Sequence, residues 1–254
     1  GVTRGSVIGY QKVELLSSLQ LKEIKMNDQP ALQGPSVAPA SSQPAKQLVI
    51  FCHGVGSDGQ DLIGLVPYFA KVLPDAQFVS PNGPEAFDLA PAGYQWFSLN
   101  NPDLASRLTG TQAAGPVLDA YIDQQMALYG LEAKDVALVG FSQGAMMSLH
   151  VGIRRQQQLA GILAYSGAII APDLIAGELK TQPPVLMMHG STDDVVPVEA
   201  LYEGVAALQG SGVLARGEVV PHLGHSLNDK CIMEGMDFLA ECFGVPLPQP
   251  TTTL

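Results

Sequence analysis

An α/β fold, with a mostly parallel sheet covered by helices on both faces, is predicted by three observations. Short, continuous apolar runs stand at 48–52, 136–141, 161–165 and 185–189, which is how strands buried on both faces read. Helical stretches with an apolar face alternate with them along the chain. The chain has 254 residues and is 46% hydrophobic, enough to bury one sizeable core without division into two domains.

The elements follow in order. Residues 27–46 hold Pro30, Gly34, Pro35, Pro39, Pro44 and a Ser41-Ser42 pair with no apolar period, and read as a linker or loosely held arm. The expected organisation is an extension and Pro/Ser-rich linker at 1–45, one domain at 46–244, and a loose tail at 245–254 that holds three prolines. Within the domain, strands are expected at 48–52, 77–79, 136–141, 161–165, 185–189 and 218–220. Helices are expected at 61–73, 113–129, 143–154, 198–208 and 228–242. Residues 81–112 lack clear periodicity and contain the only tryptophan, in Tyr94-Gln95-Trp96-Phe97. A long loop inside a compact domain is often a binding loop. Trp96 and Phe97 therefore have two readings, as walls of a substrate groove or as plugs at the edge of the core.

Charge narrows the partners. A net charge of −11 and a pI near 4.7 disfavour nucleic acid and anionic membrane surfaces, which would repel the chain. No run of 18 apolar residues exists, so no membrane span is expected. Nor do the first 25 residues hold the apolar core of a secretory leader. Cys231 and Cys242 share one predicted helix about 16 Å apart along its axis, too far to bridge. Cys52 falls in a buried strand. All three read as reduced packing residues, which points to the cytoplasm.

The chemistry begins at Gly140-Phe141-Ser142-Gln143-Gly144. A Gly-x-Ser-x-Gly pattern alone is weak: with 27 glycines in 254 residues it arises by chance in roughly one such chain in six. Here an apolar strand runs into it and an apolar helix leaves it, so Ser142 must sit on a sharp turn with its hydroxyl projecting from the top of the sheet. The helix N-terminus behind it favours developing negative charge. Serine needs a base, and the base needs an orienting group. The strand at 185–189 leads to Asp193 and Asp194, and the strand ending at Val220 leads to His222 and His225. The order Ser, Asp, His is that of the α/β-hydrolase fold. Oxyanion donors are expected at the N–H of Gln143, next to the nucleophile, and at the N–H of Val55 in the Gly-rich loop His53-Gly54-Val55-Gly56-Ser57-Asp58.

The segments Phe51-Cys52-His53-Gly54-Val55-Gly56-Ser57-Asp58-Gly59, Ser80-Pro81-Asn82-Gly83-Pro84, Gln95-Trp96-Phe97, Gly140-Phe141-Ser142-Gln143-Gly144-Ala145, Tyr165-Ser166-Gly167-Ala168, His189-Gly190-Ser191-Thr192-Asp193-Asp194-Val195-Val196-Pro197 and Gly224-His225 together resemble the phospholipase/carboxylesterase family that includes the acyl-protein thioesterases. The resemblance spans about residues 46–243. It implies a single-domain α/β-hydrolase without a large cap domain. The implied activity is that of a cofactor-free serine hydrolase acting on small-molecule esters or thioesters of short to medium acyl groups, and in some members on lysophospholipids. It selects Asp193 over Asp194 as the orienting carboxylate, although Asp194 stands where the family often has proline. Residues 1–45 have no counterpart in its compact members. A homodimer is compatible with the sequence.

The remaining histidines have plainer readings. His225 is favoured over His222 because a glycine precedes it and the last helical region follows. His53 is expected to fix the oxyanion loop by hydrogen bonds, His150 to be structural, and His189 to mark a strand end. Five scattered histidines without HExxH spacing make a metal site unexpected. Ser166 has no elbow and reads as a strand-end residue. A non-catalytic binding protein, a peptidase and a perhydrolase on the same fold are the alternatives, since fold alone does not decide activity. Residues 1–25 are expected to lie outside the enzyme proper: the codons AAG-GAG at Lys22-Glu23 would form a ribosome-binding sequence ahead of Met26. The competing reading is an amphipathic arm carrying Leu15, Leu16 and Leu19.

Overall fold

The structure, a computed structural model, describes residues 31–249. The leader at 1–25, the start of the linker and residues 250–254 of the tail lie outside the described residues.

The strands are β1 (Ser36–Val37), β2 (Gln47–Cys52), β3 (Ala76–Val79), β4 (Glu85–Ala86), β5 (Tyr94–Gln95), β6 (Val136–Phe141), β7 (Gly161–Tyr165), β8 (Val185–Gly190) and β9 (Ala215–Val220). Seven of them form one sheet in the order β1-β3-β2-β6-β7-β8-β9. Every pairing in it is parallel except β1 with β3. Through the parallel strands the chain runs from β2 outward to β3, then crosses back to β6 and continues to β9. That reversal opens a crevice at the carboxyl ends of β2 and β6, where sheets of this kind bind ligands.

Alternation along each strand divides the core between two faces. Leu48, Ile50, Leu138, Ile162 and Met187 point to one, and Val49, Phe51, Val139, Leu163 and Met188 to the other. The helices are α1 (Gly59–Leu62), α2 (Val66–Phe69), α3 (Leu104–Tyr129), α4 (Gln143–Gly152), α5 (Ile175–Glu178), α6 (Glu199–Gly210) and α7 (Asp229–Phe243). Leu118 and Ile122 of α3, Met147 and Leu149 of α4, and Leu201 and Leu208 of α6 cover the first face. Phe69 of α2 and Phe238 and Leu239 of α7 cover the second, where Phe51 stacks on Phe78 at 6.0 Å between ring centres. Burying each large side chain contributes about 1.5–3 kcal/mol. None of the helices among the described residues is long and apolar enough to cross a membrane.

Several boundaries differ from the sequence reading. Residues 31–46, expected to be linker, lie against the sheet: β1 pairs with β3, and Pro35 O and Gln33 O accept from Ser80 N and Asn82 N at 3.0 and 2.7 Å. Backbone bonds hold this segment, so its side chains need no apolar period. The helix expected at 61–73 is broken into α1, a 3-10 turn at Ile63–Leu65 and α2. The helix expected to begin at 113 begins at Leu104, capped by the Asp103 side chain on Ser106 N at 2.8 Å. Its first turns are polar and half exposed, and Pro116 stands inside the helix. The strand expected at 218–220 begins at Ala215, because an edge strand tolerates Arg216 and Gly217. In the tail, Val245 packs against the core and its N–H donates to Ala240 O at 2.9 Å.

Candidate active site

β6 ends at Phe141 and α4 begins at Gln143, so one residue turns the chain. Ser142 does so at φ 55° and ψ −119°. Its N–H still donates to Tyr165 O of β7 at 2.9 Å, and its carbonyl accepts from Met146 N at 3.1 Å to start the helix. Glycine is required on both sides. A Cβ on Gly140 would run into Gly144 O and the Ala145 backbone, and one on Gly144 into Cys52 O.

Asp193 lies on the loop after β8 and His225 on the loop after β9, both at the carboxyl end of the sheet. His225 Nε2 is 3.0 Å from Ser142 Oγ, and Nδ1 is 2.8 Å from Asp193 Oδ2. The Asp193 carboxylate is fully enclosed, and its Oδ1 accepts from Val195 N and Val196 N at 2.9 Å each. Burial disfavours its charged form, but the hydrogen bonds from His225, Val196 and Val195 outweigh that and hold its pKa below the usual value. Asp194 points to solvent. His222 is exposed with φ 60°, and its backbone N–H bonds Ser191 Oγ. The Phe141 ring packs 4.9 Å from that of His225.

The loop after β2 passes beside the serine. A Cβ on Gly54 would lie 3.4 Å from Ser142 Cβ. The N–H groups of Val55 and Gln143 donate to no group among the described residues. His53 braces this loop. Its Nε2 accepts from Gly83 N at 2.8 Å, so the proton resides on Nδ1, which donates to Gly54 O at 2.7 Å. Burial keeps this imidazole neutral by lowering its pKa. The Trp96 indole N–H adds a bond to His53 O at 2.9 Å.

Sequence reasoning missed the side chain of Gln143. Its Oε1 accepts from Trp96 N at 2.9 Å and its Nε2 donates to Phe97 O at 2.8 Å, so one amide ties down the main chain of both residues. Trp96 and Phe97 are 1% and 3% exposed. They line a cavity of about 570 Å³ together with Pro84, Gly110 and Val117, and neither Ser142 nor His225 is in its walls. Among the described residues, no cluster of three or more His, Cys, Asp or Glu side chains could hold a metal ion.

Comparisons with known proteins bear on this geometry. The sequence profile of the phospholipase/carboxylesterase family matches residues 33–243. Esterase YpfH of Escherichia coli strain K12 is 29% identical over 204 residues, covering 80% of this chain and 86% of its own. Acyl-protein thioesterase 1 of Gibberella zeae is 29% identical over 208 residues, covering 76% of this chain and 88% of its own. Among solved structures, esterase PE8 superposes with a TM-score of 0.81 at 40% identity, over 84% of this chain and 100% of its own.

Proposed function

The chain belongs to the phospholipase/carboxylesterase family of α/β-hydrolases, and from that premise we propose that it is a serine hydrolase cleaving carboxylic esters or thioesters of short to medium acyl groups through an acyl-enzyme. The observation that carries this reading is His225, bonded on one side to Ser142 and on the other to an enclosed carboxylate. The names of the relatives, esterase and acyl-protein thioesterase, support the bond type. The three free cysteines suit a reducing compartment such as the cytoplasm.

In the proposed reaction His225 Nε2 takes the proton from Ser142 Oγ as the oxygen attacks the acyl carbon. Asp193 holds Nδ1–H and stabilises the imidazolium that forms. The carbonyl oxygen, now negative, receives hydrogen bonds from Val55 N–H and Gln143 N–H. Removing such a donor typically costs about 3 kcal/mol of barrier. His225 returns its proton to the departing alcohol or thiol, leaving Ser142 acylated. Water then repeats the sequence: it loses a proton to His225, attacks the acyl carbon and releases the acid, and Ser142 recovers its proton.

A fluorophosphonate probe followed by peptide mapping tests the nucleophile. An adduct on Ser142 is expected, and an unmodified Ser142 would favour a non-catalytic binding protein on this fold. Rates on p-nitrophenyl esters of increasing chain length, matched thioesters and peptide anilides define the substrate. Preference for anilides would refute the ester reading.

A further inference from the structure

Asp193 does not face His225 alone. His189 of β8 is buried at 1% exposure, and its Nε2 lies 2.7 Å from Val196 O and 3.4 Å from Asp193 Oδ2. Both neighbours only accept, so Nε2 carries the proton and Nδ1 is left a bare acceptor. That Nδ1 is buried with no hydrogen-bond partner among the described residues. An apolar side chain would fill the end of β8 without leaving an acceptor unpaired, so what the imidazole supplies here is one directed N–H.

The N–H closes a small cycle. His189 holds Val196 O, Val196 N–H holds Asp193 Oδ1 at 2.9 Å, and Asp193 Oδ2 then lies between His189 and His225. Without His189 the turn at 193–196 keeps its two N–H bonds to Oδ1, but no other group among the described residues ties down the Val196 carbonyl. The carboxylate could then rotate with the turn and carry Oδ2 away from His225.

Resting on the proposed triad, we infer that His189 is a positioning residue for that reaction. It acts through Asp193 and touches neither Ser142 nor substrate. It sets the carboxylate so that Oδ2 meets the Nδ1–H of His225, and its N–H dipole shares the charge on that oxygen.

Two polar, neutral replacements separate this role from simple packing. Glutamine can place an amide nitrogen where Nε2 stands, whereas asparagine reaches only the position of Nδ1. His189→Asn should lower kcat about ten- to hundredfold with KM within about threefold, and His189→Gln should stay within about fivefold of the parent. In an Asp193→Ala background, His189→Asn should cost less than about twofold more, because the group it acts through is gone. Melting temperatures of both variants accompany the kinetics. Equal losses in the two single variants, or a full additive loss in the Asp193→Ala background, would overturn the inference while leaving the triad standing. If Asp193→Ala were itself harmless, the triad reading and this inference would fall together.

Discussion

Ser142 and Ser166 end neighbouring parallel strands, each one residue beyond a matched pair, Phe141 with Tyr165. Both have left-handed backbone, at φ 55° and 51°. Both continue the ladder, Ser142 N to Tyr165 O at 2.9 Å and Ser166 N to Met188 O at 2.8 Å. They differ in what surrounds them. Ser142 runs straight into α4 and has His225 at 3.0 Å, whereas Ser166 runs into irregular chain and no histidine bonds its hydroxyl among the described residues. A strained serine at a strand end is thus not enough. The helix behind it and the imidazole beside it set Ser142 apart.

The sharpest test of that difference is to remove each hydroxyl. Ser142→Ala should lower ester hydrolysis by about 10⁴-fold or more with the fold intact, and Ser166→Ala by less than about tenfold. Retention of a tenth of the parent kcat in a folded Ser142→Ala protein would end the proposed mechanism.

Next comes the base. Asp193→Asn should stabilise the wrong tautomer of His225 and reduce kcat by about 10³–10⁴ with little change in KM, while exposed Asp194→Asn should cost less than about tenfold. An inverted order between the two aspartates would shift the site by one residue.

The oxyanion side should be less sensitive. Gln143→Met keeps the backbone N–H but releases Trp96 and Phe97, and a loss of about ten- to hundredfold in kcat is expected, with a parallel loss of affinity for a boronic acid.

Two stability effects are smaller. Left-handed backbone costs a non-glycine residue about 1–3 kcal/mol, so Ser142→Gly should raise the melting temperature by about 2–4 °C per kcal/mol released while abolishing activity. His150, packed against Gly115, has its pKa lowered to about 4 by burial and by Arg154. Between about pH 4 and 6.5 the unfolded chain therefore binds more protons at this site than the folded one. Stability should fall as pH drops through that window, and His150→Gln should flatten the slope in a chemical denaturation series.

Legibility in the sequence followed the same division. The elbow was readable because five consecutive residues determine it: Gly140 and Gly144 permit the close approach, and the apolar runs on either side announce strand and helix. Asp193 and His225 were expected where they stand because each follows a predicted strand; family resemblance chose Asp193 over Asp194, and the preceding Gly224 with the helical region after it chose His225 over His222. The Gln143 brace could not be read, since its partners Trp96 and Phe97 lie more than 40 residues away and an amide bonded to distant main chain leaves no periodic trace. The start of α3 was hidden for a related reason: Asp103 is an ordinary cap, but the turns after it are too polar to show an apolar face. β1 was invisible because its two residues contribute backbone alone.

That short strand has a consequence for handling the protein. The composition of residues 27–46 invites truncation near residue 45 to give a tidier domain. β1 is what occupies the outer edge of β3, a strand whose four residues are all buried. Cutting it away would bare a row of unpaired N–H and C=O groups beside apolar side chains, the template on which sheets of separate molecules join and precipitate.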